Sequence, residues 1–264
     1  MITKHLSLFA AGMISAAIAF TSCDPDDIST VHKRSAHRVE FSRRDLGNTA
    51  VGSSLPSSVK AVDLGLSVMW SDMNLGAQSP EESGDLFAWG EIEPSGNYGW
   101  SSYEHNEFHR DDAATLYLTK YCFDFYGEHQ DLDKGGVTLD RNDDAAYVMW
   151  GEHWRMPVIS ELEELSDKCT WTYDSSRMQF TVTGPSGNSI TIPFPGVGIG
   201  SSVFGEPQGA VDGGIWSSSL SGKASPFAGK LTLVGKSENR FEKHIDRDAA
   251  NRWVGCIIRP VYAE

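Results

Sequence analysis

The stretch DDAAYVMWGEHWRMPVISELEEL, Asp143 to Leu165, decides how this chain folds. Asp143 and Asp144 stand where helix N-caps stand, ahead of the small and apolar run Ala145, Ala146, Val148, Met149 and Trp150. Gly151 stops that helix. Trp154, Arg155 and Pro157 then form an extended strap, because the residue before a proline is pushed out of helical space. Ser160 with Glu163 three residues on has the form of a capping box and is expected to open a second helix, with Leu162 and Leu165 facing inward. Planar guanidinium forks tie loops onto helices, so Arg155 is expected to bond loop carbonyls and a nearby acid such as Glu163. Nothing in this helix-strap-helix unit has the form of a catalytic centre.

Strand signals surround it. Val62, Leu64, Leu66, Val68 and Trp70 alternate as a strand with a kink at Gly65, and Leu86 to Trp89 reads as a second, doubly buried strand. Residues 93 to 142 are irregular and dense in aromatics: Tyr98, Trp100, Tyr103, Phe108, Tyr117, Tyr121, Phe123, Phe125 and Tyr126. A long loop needs packing of its own, so most of these rings are expected to plug the core. After the helices, Thr170 to Tyr173 begins a sheet. Met178 to Thr183 and Ser189 to Pro193 form a hairpin across the turn cluster 184 to 188. A glycine-rich loop is expected over 196 to 214, followed by strands at Ile215 to Leu220, Gly229 to Val234, Phe241 to Ile245 and Trp253 to Val261. The fold class is α+β: two short helices packed on a mainly antiparallel sheet with long loops, its first and last strands adjacent.

The chain divides into a signal segment (1–22), a polar tether (23–58) and one folded domain (59–264). Lys4 and the apolar run Leu6 to Phe20 have the form of an export signal, too short for a membrane span. Phe20-Thr21-Ser22-Cys23 resembles a lipobox, in which the cysteine is lipidated, and the acidic run Asp24 to Asp27 resembles the export signal of surface lipoproteins. The expected location is therefore the outer membrane, anchored in lipid through Cys23 and facing outward. A formal charge of −14 argues against a nucleic-acid partner. The basic cluster Lys33, Arg34, Arg38, Arg43 and Arg44 reads as part of the solvated tether. Among Cys122, Cys169 and Cys256, one disulfide or three buried thiols fit equally well.

Several local patterns bear on chemistry. Asp131-x-Asp133 starts like a calcium loop, but Asn142 stands where the closing glutamate belongs, which leaves a looser calcium cage of Asp131, Asp133, Asp140 and Asp143. His105-x3-His109 lacks helical context and further ligands for a transition metal. Gly196-x-Gly198-x-Gly200 follows a strand without the helix of a dinucleotide site. No serine-hydrolase elbow or zinc-protease helix motif occurs.

The strap, with AVDLGLSVMW (61–70), GDLFAWGE (84–91), Cys169-Thr170-Trp171, Trp216-Ser217-Ser218-Ser219 and Arg259-Pro260-Val261, resembles the Fibrobacter succinogenes major paralogous domain of Bacteroidetes surface lipoproteins. That family's signature reads W-R-[ML]-P-T-x-x-E, and Val158 stands here where threonine is usual. The resemblance implies a C-type-lectin-like frame, distantly similar to formylglycine-generating enzymes. It implies a non-catalytic adhesion module whose loops at 196–214, 221–228 and 235–251 meet a glycan or a surface protein. Glu206-Pro207-Gln208 is similar to the sugar-binding tripeptide of C-type lectins, although Trp216-Ser217-Ser218 replaces their Trp-Asn-Asp. Candidate ligand-binding residues are thus Glu206, Gln208, Trp216, Arg240 and Arg252. An assembly component of a surface appendage is the alternative. An oxidase ranks third, because Cys256 has no partner cysteine beside it in sequence.

Overall fold

The computed structural model describes residues 54–107, 116–130, 132, 137–151, 153–194, 196–204 and 211–262. All of them belong to the second of two compact units, Leu46–Glu264. The signal segment, Cys23, most of the tether, Phe108, His109, Asp131, Asp133, Glu206 and Gln208 lie outside the described residues.

Two helices form where the aspartates and the strap place them. Asp144 caps α1 (Ala145–Trp150): its side chain accepts from the N–H groups of Ala146 and Tyr147. Gly151, at φ 97°, closes the helix in a conformation that a β-carbon would oppose. Helix α2 (Ile159–Lys168) begins one residue before Ser160. Its N-cap is Val158, whose backbone N–H donates to Glu161 Oε2 at 2.8 Å, so Glu161 takes the part expected of Glu163. Leu162 and Leu165 are wholly buried, as their spacing requires.

The architecture is α+β with antiparallel sheets. β1 (Ala61–Val62) and β2 (Met69–Ser71) pair with each other as a hairpin. This corrects the single kinked strand expected over 62 to 70: Gly65, at φ 75°, turns the chain instead of bending it. β12 (Val261–Tyr262) lies between β2 and β3 (Trp154–Arg155), so the two ends of the domain meet on the strap. β4 (Thr170–Asp174), β5 (Gln179–Thr183) and β6 (Ser189–Pro193) form a meander. Each buries alternate residues, Trp171, Tyr173, Phe180, Val182, Ile190 and Ile192, which is the period of a half-buried strand.

The region expected as a glycine-rich loop holds a small hairpin, β7 (Val197–Ile199) with β8 (Ser202–Phe204), and then enters β9 (Val211–Leu220). β9, β10 (Phe227–Ser237) and β11 (Arg240–Asn251) form the sheet with the longest strands, in the order β11-β10-β9. The strand expected at Phe241 to Ile245 is present and extends over Arg240–Asn251, so most of the loop expected at 235–251 is the long outer strand of this sheet. Trp253 to Pro260, expected as a strand, makes only isolated bridges, at Gly255, Cys256 and Ile257. Leu86 to Trp89 likewise makes one bridge, Phe87 to Cys256, yet all four of its residues are buried.

Two arginines are wholly buried and tie these layers together. Arg259 donates to Ser71 O (3.1 Å) and Thr191 O (2.6 Å), joining β2 to β6, and burial pulls its pKa down to about 9. Arg252 does the same for the irregular segment. Its guanidinium donates to Tyr103 Oη (2.9 Å), Ser225 O (3.1 Å) and Lys120 O (3.0 Å), and it lies over the rings of Trp89 and Tyr103. Tyr98, Tyr103, Tyr121 and Phe123 are buried, in line with core plugging, whereas Phe125 is 87% exposed.

Candidate functional site

Where the start of α2 meets the end of β9, the backbone is sewn into a groove. Ser218 N–H donates to Pro157 O (2.8 Å), Ile159 N–H to Ser219 Oγ (3.0 Å) and Leu220 N–H to Val137 O (2.9 Å). Gly229 in β10 admits Ile159 closely, since a β-carbon there would stand 2.9 Å from Ile159 Cδ1. The result is a cleft of about 620 Å³. Val158, Ile159 and Leu220 give it apolar walls, and Thr138, Ser160 and Ser219 line it with hydroxyls.

Charge collects on one wall. Lys223 Nζ pairs with Asp248 Oδ2 at 2.8 Å, and Ser221 Oγ donates to Asp248 Oδ1 at 2.9 Å. The lysine ammonium, chiefly, holds the Asp248 carboxyl below the usual range. Arg247 pairs with Glu163 of α2, the acid that had been expected for Arg155.

A second recess, of about 360 Å³, shares Thr138 and Val158 with the first and reaches the strap. There Arg155 forms a two-pronged pair with Glu161, at 2.8 and 2.6 Å, and also donates to Met156 O at 3.1 Å. Asp144 accepts from Met156 N–H at 2.9 Å as well as from the first turn of α1. Burial nonetheless pushes its carboxyl up to about 6. Trp154 and Arg155 thus line this recess, with the guanidinium engaged within the protein. Among the described residues, no cysteine or histidine lines either recess.

Phe125 stands on a neighbouring loop. Ser225 fixes that loop, its N–H donating to Asp124 Oδ2 (2.8 Å) while its hydroxyl accepts from Phe123 N–H (2.9 Å). The exposed ring lies tilted against Tyr126, at 32° with centroids 4.2 Å apart.

The residues singled out by sequence scatter. Trp216 is wholly buried and donates its indole N–H to Phe87 O at 2.9 Å, so it holds two segments together and does not face solvent. Arg252 is interior for the reasons above. Of the described ligand-binding candidates Arg240 alone is exposed, at the start of β11. Asp140 and Asp143 are bound to Lys120, and Asp143 also accepts from Tyr121 Oη. Among the described residues no group of three or more His, Cys, Asp or Glu side chains could hold a metal ion. His105 is buried with Nε2 3.0 Å from Gly90 O. Cys122 and Cys169 are free thiols. Of the cleft residues, Ser219 ends the Trp216-Ser217-Ser218-Ser219 piece quoted above, whereas Thr138 and Lys223 carry no local motif. Their one sequence signal is that the 221–228 loop follows a strand whose Ser217-Ser218-Ser219 run is all hydroxyl.

No protein-family model, no curated protein and no solved structure matches this chain.

Proposed function

We propose that this protein is a non-catalytic binding module, lipid-anchored through Cys23 to the outer membrane and facing outward, which takes a glycan or protein ligand in the cleft between α2 and β9. The observation that carries the reading is the cleft itself. Apolar walls, lining hydroxyls and a surface Lys223–Asp248 pair offer the mixture that recognises a polar ligand with apolar faces. Phe125 adds a displayed ring on the adjoining loop. The resemblance of the strap to the Fibrobacter succinogenes major paralogous domain supports a C-type-lectin-like frame, and the meeting of β2, β12 and β3 agrees with it. Fold-level likeness carries no ligand identity, so the site chemistry has to bear the argument.

A glycan array and a surface-protein capture with the purified full chain test this reading, alongside Gly222→Trp and Lys223→Glu. Both positions line the cleft and lie outside the core. Capture that both variants abolish at unchanged melting temperature supports the cleft. Capture that neither alters places the ligand elsewhere. Mass spectrometry of the mature N-terminus checks the anchor, since any terminus other than acylated Cys23 overturns it.

The second reading, an assembly component of a surface appendage, draws on one observation. Among the described residues, nothing pairs with the outer edge of β11.

A further inference from the structure

We infer that the outer edge of β11 is a self-recognition surface, pairing antiparallel with β11 of a second copy to make a continuous six-stranded sheet. The inference stands apart from the ligand cleft, which meets β11 at Arg247 and Asp248.

The edge is preorganised. β11 runs in unbroken register with β10 from Phe241 opposite Gly235 to Asp246 opposite Lys230, and is irregular only beyond. The turn that leads into it is pinned to β4, since Asn239 N–H donates to Tyr173 O at 3.0 Å and Asn239 Oδ1 accepts from Tyr173 N–H at 3.3 Å. At its far end, buried Arg252 anchors the chain. A strand held at both ends loses little freedom on pairing.

Charges on an edge strand are the usual protection against indiscriminate pairing. Here their order does more than repel. A two-fold axis perpendicular to the sheet keeps each face continuous, so a residue can oppose only residues of its own parity. With the axis at Lys243, Arg240 opposes Asp246 of the second copy and Glu242 opposes its His244, each twice, while Phe241 meets its Ile245 on the other face. Arg240, Glu242 and His244 are exposed, and Phe241 and Ile245 already pack partly on the core. The Lys243 pair on the axis is of like charge. Each ammonium, however, is drawn back to its own α2, donating to Ser166 O at 2.6 Å and Ser166 Oγ at 3.0 Å.

Neighbouring registers are less complementary. An axis at Glu242 sets that carboxylate against itself. One at His244 opposes Arg240 to Asp248 but sets Glu242 against Asp246, and one at Ile245 opposes Glu242 to Asp248 and Lys243 to Arg247. Like charges directly opposite are destabilising, so the order of charges favours the axis at Lys243.

Analytical ultracentrifugation of the full chain tests this. The wild type is expected to dimerise in the micromolar range. Arg240→Asp, at an exposed position, replaces two attractive pairs with repulsive ones and weakens association by roughly 30-fold. The double variant Arg240→Asp/Asp246→Arg restores it. In a second measurement, Lys243→Cys is oxidised mildly, since opposed Cα atoms about 4.5–5.5 Å apart lie within disulfide reach. A covalent dimer that forms in this variant, and not in the wild type or in the Arg240→Asp background, fixes the register. A monomeric wild type, a dimer indifferent to Arg240→Asp, or a natively folded double variant that stays monomeric overturns the inference.

Discussion

Arg155 and Glu161 meet fork to fork, with Nη1 2.8 Å from Oε2 and Nη2 2.6 Å from Oε1, and the same carboxylate accepts the N–H of Val158 that opens α2. One acid thus fixes the strap and the helix start together. Two parallel charge-assisted bonds demand a planar donor, so Arg155→Lys keeps the charge and loses the geometry. It is expected to cost about 1–2 kcal/mol in urea unfolding. Glu161→Gln should cost a similar amount, and the double variant well short of the sum, because the two side chains act as one unit. Additive losses would show that the strap is held by something else.

Val158 occupies an N-cap with the right backbone, φ −78° and ψ 162°, and no side-chain oxygen to offer. Threonine, usual at this place in the signature that the strap resembles, would supply one at nearly the same volume. Val158→Thr is therefore expected to stabilise the protein by about 0.5–1.5 kcal/mol. A melting temperature that falls instead would mean that the half-buried methyl matters more to the cleft wall than the cap does to the helix.

This stretch also shows how far the sequence can be read. Asp144 at its cap, Gly151 at its stop and the inward Leu162 and Leu165 followed from local rules. The start of α2 did not, because Val158 with Glu161 and Ser160 with Glu163 fit the same three-residue spacing. Tertiary contacts decide between them: Arg155 draws Glu161 in, and Ser219 Oγ takes the N–H of Ile159. The final E of the signature fell on Glu161 and was the available hint. Trp216 and Arg252 mislead for another reason. Exposed ligand-binding side chains and buried tethering ones share the same chemistry, and only the fold tells them apart. The cleft was illegible, being assembled from segments as far apart as Thr138 and Asp248.

Burial pushes the Glu91 carboxyl up from 4.5 to about 7, against the hydrogen bond from Glu104 N–H. Between those values the folded protein keeps a proton that the unfolded chain gives up, so the contribution of Glu91 to stability falls as pH rises through that window. His105 works in the opposite sense. Burial lowers its pKa from 6.5 to about 4, so its contribution is lost as pH falls through that range. Glu91→Gln removes the first effect and leaves the second. Its advantage over wild type should grow between pH 4.5 and 7 and then level off, reaching about 1–3 kcal/mol. A difference in urea midpoint that stays flat across that window would contradict the burial argument.

The Tyr98 ring sits against two glycines that pair with each other. Gly198 N–H donates to Gly255 O at 2.8 Å, and the Tyr98 hydroxyl donates to Leu86 O at 2.6 Å. A β-carbon on Gly198 would stand 2.4 Å from Tyr98 Cδ2. Gly198 therefore answers to a buried ring, while Gly196 and Gly200 stand at positive φ. Gly198→Ala should cost about 2–3 kcal/mol through overpacking, and much less in a Tyr98→Leu background. Equal costs in both backgrounds would refute a ring-to-backbone cause.

Arg252 holds the aromatic-rich segment to the domain, and among the described residues its hydrogen-bond partners are carbonyls and the Tyr103 hydroxyl, with no carboxylate. Arg252→Met would keep much of the volume over Trp89 and leave the carbonyls of Lys120, Tyr121 and Ser225 without this donor, an expected loss of at least about 3 kcal/mol. The damage should be uneven. Hydrogen exchange is expected to quicken across 98–107 and 116–130, where irregular backbone depends on this one side chain, while β4 to β6 keep their protection through their own ladder. Uniform acceleration would mean that the segment and the sheets unfold as one unit, in which case the buried guanidinium supports the whole core and not the loop layer.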